Sequence, residues 1–209
     1  RIENYTDSLE ELTMLTDAVY IASLHETHYE YAKYMLNNKK HVLCEKPAVL
    51  KKAQAEELYS LAKENNVVFM EAVKTAYCPG FHAMMAAAKS GKIGRIIDVE
   101  AAFSRLTPVN TREYMAQDYN GSFLEFGSYV CMPVFELLGC DYDDVRFHSM
   151  RAVNGVDVYT KAVFSFGGKS AEVKTGLGVK TEGQLLISGT NGYILAKSPW
   201  WLTKEFEIR

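Results

Sequence analysis

The chain has 209 residues, 48% of them hydrophobic and 23% charged, with a formal net charge of -3. That length allows one large domain or one and a half ordinary ones, each with an ample core. The mild acidity, and the absence of Lys/Arg runs beyond Lys39-Lys40 and Lys51-Lys52, argue against nucleic acid as a main partner. No apolar run reaches membrane-spanning length, so no membrane partner is expected. The four cysteines (Cys44, Cys78, Cys131, Cys140) form no C-x-x-C pair and sit in apolar patterns. They read as reduced core thiols of a cytoplasmic protein, not as a disulfide frame or a metal site.

Taken in chain order, the first third alternates helix and strand. Ser8 with Glu11 makes a capping box for a helix through Leu15, and Ala18 to Ala22 follows as a short apolar strand. Thr27 with Glu30 is a second capping box, after which Tyr31, Ala32, Met35 and Leu36 recur at helical spacing until Asn37-Asn38. His41 to Cys44 reads as a buried strand stopped by Glu45-Lys46-Pro47. A third helix spans roughly Lys51 to Glu64, and Val67 to Met70 is the next strand. This order predicts a parallel sheet with crossover helices.

After Ala72 the pattern changes. Phe81, Met84, Met85 and Ala88 mark a helix ending at Gly91, and Ile97, Val99, Ala101 and Phe103 alternate as a half-buried strand. An apolar helix runs from about Ser122 to Leu138. From Val145 onward the chain alternates as strands, with Asn191-Gly192 as a hairpin turn signal. The fold class is therefore α/β plus α+β: a partial Rossmann-like parallel sheet over 1–72, then a domain with a large open, mostly antiparallel sheet over 73–209. Two helices cannot cover so broad a sheet on both sides. Its open face, carrying Tyr159 and Val163, is expected to be apolar and to pack against a second copy.

Two apparent motifs carry no chemistry. His25-Glu26-Thr27-His28 has one residue too few between its histidines for a zinc helix. Gly176 and Gly178 begin a G-x-G-x-x-G pattern, but Thr181 breaks it inside an alternating strand. Two clusters remain. Ligands of parallel sheets bind beyond the carboxyl ends of the strands, so Glu45-Lys46-Pro47 reads either as a cofactor or substrate element or as a surface ion pair closing a strand. In the helix from Ser122, the stripe of Phe123, Phe126, Val130, Leu137 and Leu138 faces the core. Glu125 and Tyr129 share the other face, with a bend expected where Pro133 leaves the Tyr129 carbonyl without its donor, and Gly127 is expected to let another backbone approach.

These residues resemble the Gfo/Idh/MocA oxidoreductases, in the glucose–fructose oxidoreductase and dihydrodiol dehydrogenase branch. The resemblance runs through Asp17 to Ser23, His28, Lys40 to Pro47, Glu71-Ala72 with Pro79, Gly91 to Gly94, the glycine-rich entry to Glu125–Tyr129, and Ile187 to Gly192. It implies a domain binding NAD or NADP joined to a substrate and dimerisation domain, and hydride transfer to or from a sugar, polyol or related diol. Ala22, Ser23, Leu24, His25, His28, Glu45, Lys46 and Pro47 take the cofactor-side positions. Lys46 matches the family lysine beside the nicotinamide and the reacting oxygen. The family's later motif usually reads D-x-G-x-H; here Glu125 and Tyr129 stand at its ends, so Tyr129 inherits the acid/base role. A tyrosine titrates near pH ~10, and a neighbouring ammonium favours the phenolate. Lys74, Arg112, Glu125 and Tyr129 are the substrate-side candidates, while Trp200 and Trp201 read equally as sugar-site or core residues.

Two departures from the family pattern bear on this. The branch commonly has an arginine where this chain has Ala76, and the family's first strand, glycine loop and ribose-binding acid have no counterpart here. The chain is therefore expected to be an internal piece of a longer oxidoreductase, binding NAD(H) weakly by itself and forming a homodimer when whole. A second reading keeps the fold without the chemistry, as a sugar- or nucleotide-binding or dimerisation module.

Overall fold

Seven apolar-rich residues open the described chain as helix α1 (Leu9–Leu15), capped as its sequence predicts: the Ser8 hydroxyl accepts from the Glu11 backbone N–H. The structure is a computed structural model and describes residues 4–115 and 119–209. After α1 come β1 (Ala18–Ile21), α2 (His25–Asn37), β2 (His41–Cys44), α3 (Lys52–Glu64) and β3 (Phe69–Glu71). The three strands pair in parallel in the order β1-β2-β3. Met35 and Leu36 from α2, Leu58 and Ala62 from α3, and Val42 and Cys44 from β2 form one buried cluster. Burial, with the Glu71 and Glu45 carboxylates adding to it, pushes the Cys44 thiol up to about 12, so it stays neutral in this core.

The helix α2 starts earlier than Thr27. Its N-cap is Leu24, and Thr27 lies inside the first turn with its hydroxyl on the Leu24 carbonyl and 2.7 Å from the Ser23 hydroxyl. The capping chemistry expected of Thr27 is thus spent on the β1–α2 loop.

The chain divides between Ala72 and Val73 into two units. The second contains α4 (Pro79–Lys89), β4 (Ile96–Ser104), α5 (Ser122–Leu138) and the strands β5 (Asp144–Arg151), β6 (Asp157–Phe166), β7 (Lys169–Gly176), β8 (Leu185–Gly189), β9 (Gly192–Ala196) and β10 (Glu207–Ile208). The sheet order is β10-β9-β8-β4-β7-β6-β5. All pairings are antiparallel except β4 with β7, which runs parallel in the middle of the sheet. Alternation along a strand does not encode its partner's direction, so this central pair had no sequence signal.

One face of the sheet (Val99, Ala101, Ala162, Phe164, Val173 and Ile187 among others) packs under α4 and α5. The opposite face differs from expectation. Tyr159 and Val163 are there, but so are Glu100, Lys161, Glu172 and Lys174, and Glu172 pairs with Lys161 at 2.5 Å and with Lys174 at 2.7 Å. Burial works against the Glu172 carboxylate, yet bonds from the two ammoniums outweigh it and hold its pKa below the ordinary carboxylate range. The face is mixed, not an apolar patch. A cavity of about 190 Å³, with Tyr159, Glu172 and Lys174 in its lining, opens on it.

Candidate functional site

In the first unit the predicted cofactor-side residues lie on the loops that leave the carboxyl ends of the parallel strands. Ala22 and Leu24, on the loop after β1, are exposed, and Glu45 and Lys46, directly after β2, are half-buried. The ladder continues past β2: the Glu45 N–H donates to the Ile21 carbonyl, and the Ala72 N–H to that of Cys44. Three side chains brace the Glu45–Pro47 loop. The Tyr20 hydroxyl donates to the Glu45 carboxylate, a bond that holds the phenol pKa above its usual value. A Glu71 carboxylate oxygen accepts from the Ala48 N–H at 3.0 Å. His28 is fully buried, with Nδ1 2.9 Å from the Pro47 carbonyl oxygen and Nε2 3.2 Å from that of Ser23, so one imidazole ties the β1 and β2 loops together. His25, also buried, packs edge-on against it at 5.6 Å. The histidines of the discarded zinc pattern are therefore loop braces.

In the second unit α5 runs unbroken from Ser122 through Pro133 to Leu138. Glu125 and Tyr129, read from sequence as lying on a face away from the core, are both buried, at 7% and 8% exposure. For Tyr129 the reason is aromatic. Phe103 on β4 meets Tyr129 edge-on at 5.3 Å, stacks on Phe126 at 4.3 Å, and stacks on Trp201 at 3.7 Å. These rings enclose the face of α5 that bears Tyr129. Gly127 makes room for the Phe123 ring of its own helix, where a Cβ would lie 3.3 Å from two ring carbons, and not for another backbone.

Arg112, in a short 3-10 turn (Arg112–Tyr114), is exposed and reaches to 4.0 Å of the Glu125 carboxylate. Among the substrate-side candidates the structure thus brings Glu125, Tyr129 and Arg112 into one neighbourhood. Lys74 is exposed in another 3-10 turn (Lys74–Tyr77). The two tryptophans part company. Trp200 is fully buried, with its indole N–H on the Ala102 carbonyl at 2.9 Å, whereas Trp201 is half-buried in the aromatic stack.

Sequence reasoning missed Asp157. Its Oδ2 accepts from the Phe123 N–H, the Ser122 hydroxyl and the Thr160 hydroxyl, at the N-terminus of the helix that carries Glu125 and Tyr129. No local pattern could have flagged it, because it caps a helix from 35 residues away.

Comparison with known proteins matches residues 1–73 to the model described as "Oxidoreductase family, NAD-binding Rossmann fold", and residues 81–195 to the GFO/IDH/MocA C-terminal domain. The scyllo-inositol 2-dehydrogenase (NADP(+)) IolU of Bacillus subtilis is 35% identical over 165 residues, which are 74% of this chain and 49% of that protein. The trans-1,2-dihydrobenzene-1,2-diol dehydrogenase of Xenopus laevis is 28% identical over 190 residues, 88% of this chain and 57% of that protein. Among solved structures, a levoglucosan dehydrogenase in complex with NADH and levoglucosan superposes with a TM-score of 0.84 at 19% identity, covering 99% of this chain and 64% of that one, and shares the fold. The chain spans about half the length of the curated relatives it matches. With both halves matched to the family's models, the chain belongs to the Gfo/Idh/MocA oxidoreductases.

Proposed function

We propose that the whole protein is an NAD- or NADP-dependent dehydrogenase of a sugar, polyol or related diol. The nicotinamide supplies the hydride acceptor at the carbinol carbon when bound; the protein's own residues bind, orient and handle the proton. Lys46 polarises the carbinol oxygen, and Tyr129 takes its proton during oxidation and returns it during reduction. Arg112 and Glu125 contact further hydroxyls of the substrate, with Lys74 as an additional cation.

The observation that carries this reading is the bracing of Lys46. A half-buried lysine follows a parallel strand on a loop held from three sides by Tyr20, His28 and Glu71, which is the investment expected for a functional group and not for a solvated ion pair. Ala22 and Leu24 are exposed on the loop after β1, also at the carboxyl end of a parallel strand, where a nicotinamide would meet the first unit. The relatives' named substrates, an inositol and a dihydrodiol, are of one chemical class, a ring bearing adjacent hydroxyls.

The Tyr129→Phe variant tests the proton assignment. Because alcohol oxidation needs a base, wild-type kcat should rise with pH, and the variant should lose about a hundredfold or more together with that rise. Full turnover at every pH would remove Tyr129 from the chemistry.

The mixed face of the large sheet is the proposed homodimer surface. Tyr159, Val163, Leu186 and Leu195 supply apolar area around the Lys161–Glu172–Lys174 triad. Sedimentation of the whole protein should give a dimer, weakened by Val163→Asp; a monomer at high concentration would contradict this surface.

A further inference from the structure

The helix that carries Tyr129 has no cap of its own. Its N-cap position is Gly121, in a left-handed conformation (φ +129°), which offers no side-chain acceptor for the first-turn N–H groups. Asp157, at the start of β6, supplies the acceptor instead. Its Oδ2 takes the Phe123 N–H at 3.0 Å, the Ser122 hydroxyl at 2.5 Å and the Thr160 hydroxyl at 2.8 Å. Ser122 is fully buried, and its hydroxyl also lies 2.9 Å from that of Thr175 on β7, while Thr160 continues to Ser149 on β5 at 2.9 Å. A Cβ on Gly121 would collide with Asp157 Oδ1, so the glycine is what lets the carboxylate reach the helix end.

We propose that Asp157 is the positioning residue of the site helix: by capping α5 from the sheet, it sets the azimuth and height at which Tyr129 and Glu125 are presented. The inference rests on the role assigned to Tyr129 above. The geometry gives it leverage. Ser122, Glu125 and Tyr129 are spaced i, i+3 and i+7, which puts them on one stripe of an α-helix. Whatever fixes the rotation of Ser122 therefore fixes the direction of the other two. Tyr129 is seven residues along, about 10 Å up the axis at 1.5 Å per residue, so a tilt of about 10° at the base moves it by nearly 2 Å. Misplacement of about 1 Å can cost on the order of 100-fold in rate. Asp157 itself need touch neither substrate nor cofactor.

The test uses the whole protein with Asp157→Ala and Asp157→Asn. Hydrogen exchange of the α5 first turn (122–126) should speed up about tenfold or more in Asp157→Ala relative to the wild type, with exchange of β7 and β8 unchanged. For scyllo-inositol oxidation, kcat should fall about 10- to 100-fold while KM and NADPH affinity stay within about twofold, a split that general destabilisation would not produce. Asp157→Asn keeps an oxygen acceptor for the Phe123 N–H and should recover most of the kcat. Wild-type exchange at 122–126 in Asp157→Ala, or equal losses in kcat and substrate affinity, would overturn the proposal. If Asp157→Ala does not fold, Asp157→Asn decides alone: loss of charge should still speed first-turn exchange two- to fivefold, and unchanged exchange overturns the cap. The exchange result stands even if Tyr129→Phe turns over normally, so the failure of one reading is separable from the failure of the other.

Discussion

Replacing Lys46 by alanine in the whole protein should lower kcat by about 10²- to 10⁴-fold, the range expected for removing one positioned proton-handling or polarising group. At 1.36 kcal/mol per tenfold, that is roughly 3–5 kcal/mol of transition-state stabilisation. Folding should change by less than about 1 kcal/mol, because Lys46 is half-buried on a loop whose bracing comes from other residues. The strand ladder through Glu45 and Ala72, the Glu71 bond to Ala48 and the His28 bridge all survive the substitution. Lys46→Arg should not restore the rate, since a guanidinium fork is larger and differently shaped than the compact ammonium. Steady-state kinetics beside thermal melting separates the two effects. A kcat within threefold of wild type would mean that the braced loop presents Lys46 for some other purpose.

The largest stability effect is expected at Trp200. Its side chain is fully buried between the sheet and Phe81, whose ring lies 6.4 Å away. Trp200→Ala should cost about 3–5 kcal/mol through lost burial and the cavity left behind. The loss is compounded because the Ala102 carbonyl gives up its indole donor on a central strand. In a unit of this size that corresponds to a melting temperature lower by on the order of 10 °C. Trp201→Ala should cost visibly less, because Trp201 is only half-buried. Equal losses at the two positions, measured by thermal melting, would show that the core has been assigned to the wrong indole.

Trp200 and Trp201 also illustrate what the sequence could and could not say. Adjacent indoles gave no means of choosing between core and site, and the choice was made by a carbonyl on β4, 98 residues earlier. The parallel half was legible because short apolar strands, capping residues and a proline stop are local signals. Ser8 caps α1, and Glu45-Lys46 follows β2 directly. Legibility failed where the decisive partner was distant. Glu125 reads as a solvated residue on a helix face, yet it is buried, with the Arg112 guanidinium 4.0 Å from its carboxylate. Thr27 reads as a cap, yet Ser23 and Leu24 draw its hydroxyl into a loop and the cap lies three residues earlier, at Leu24. The open sheet face reads as apolar by alternation alone, whereas on it Glu172 pairs with Lys161 of the adjacent strand and with Lys174 of its own. Asp157 belongs to the same class, as a cap contributed by a strand that the helix meets only in the folded chain.

The central claim is that hydride moves between a carbinol carbon and a nicotinamide with Lys46 at the reacting oxygen. The most direct test is deuterium transfer in the whole protein. Scyllo-inositol, a hexopyranose sugar and a trans-dihydrobenzene diol, each deuterated at the carbinol carbon, are incubated with NAD⁺ or NADP⁺, and the reduced nicotinamide is analysed for label. The account predicts deuterium at nicotinamide C4 from at least one of these ring alcohols, with the rate reduced by about 100-fold or more in Lys46→Ala. Absence of label from all three with either nucleotide, or label transfer at an unchanged rate in Lys46→Ala, would contradict it.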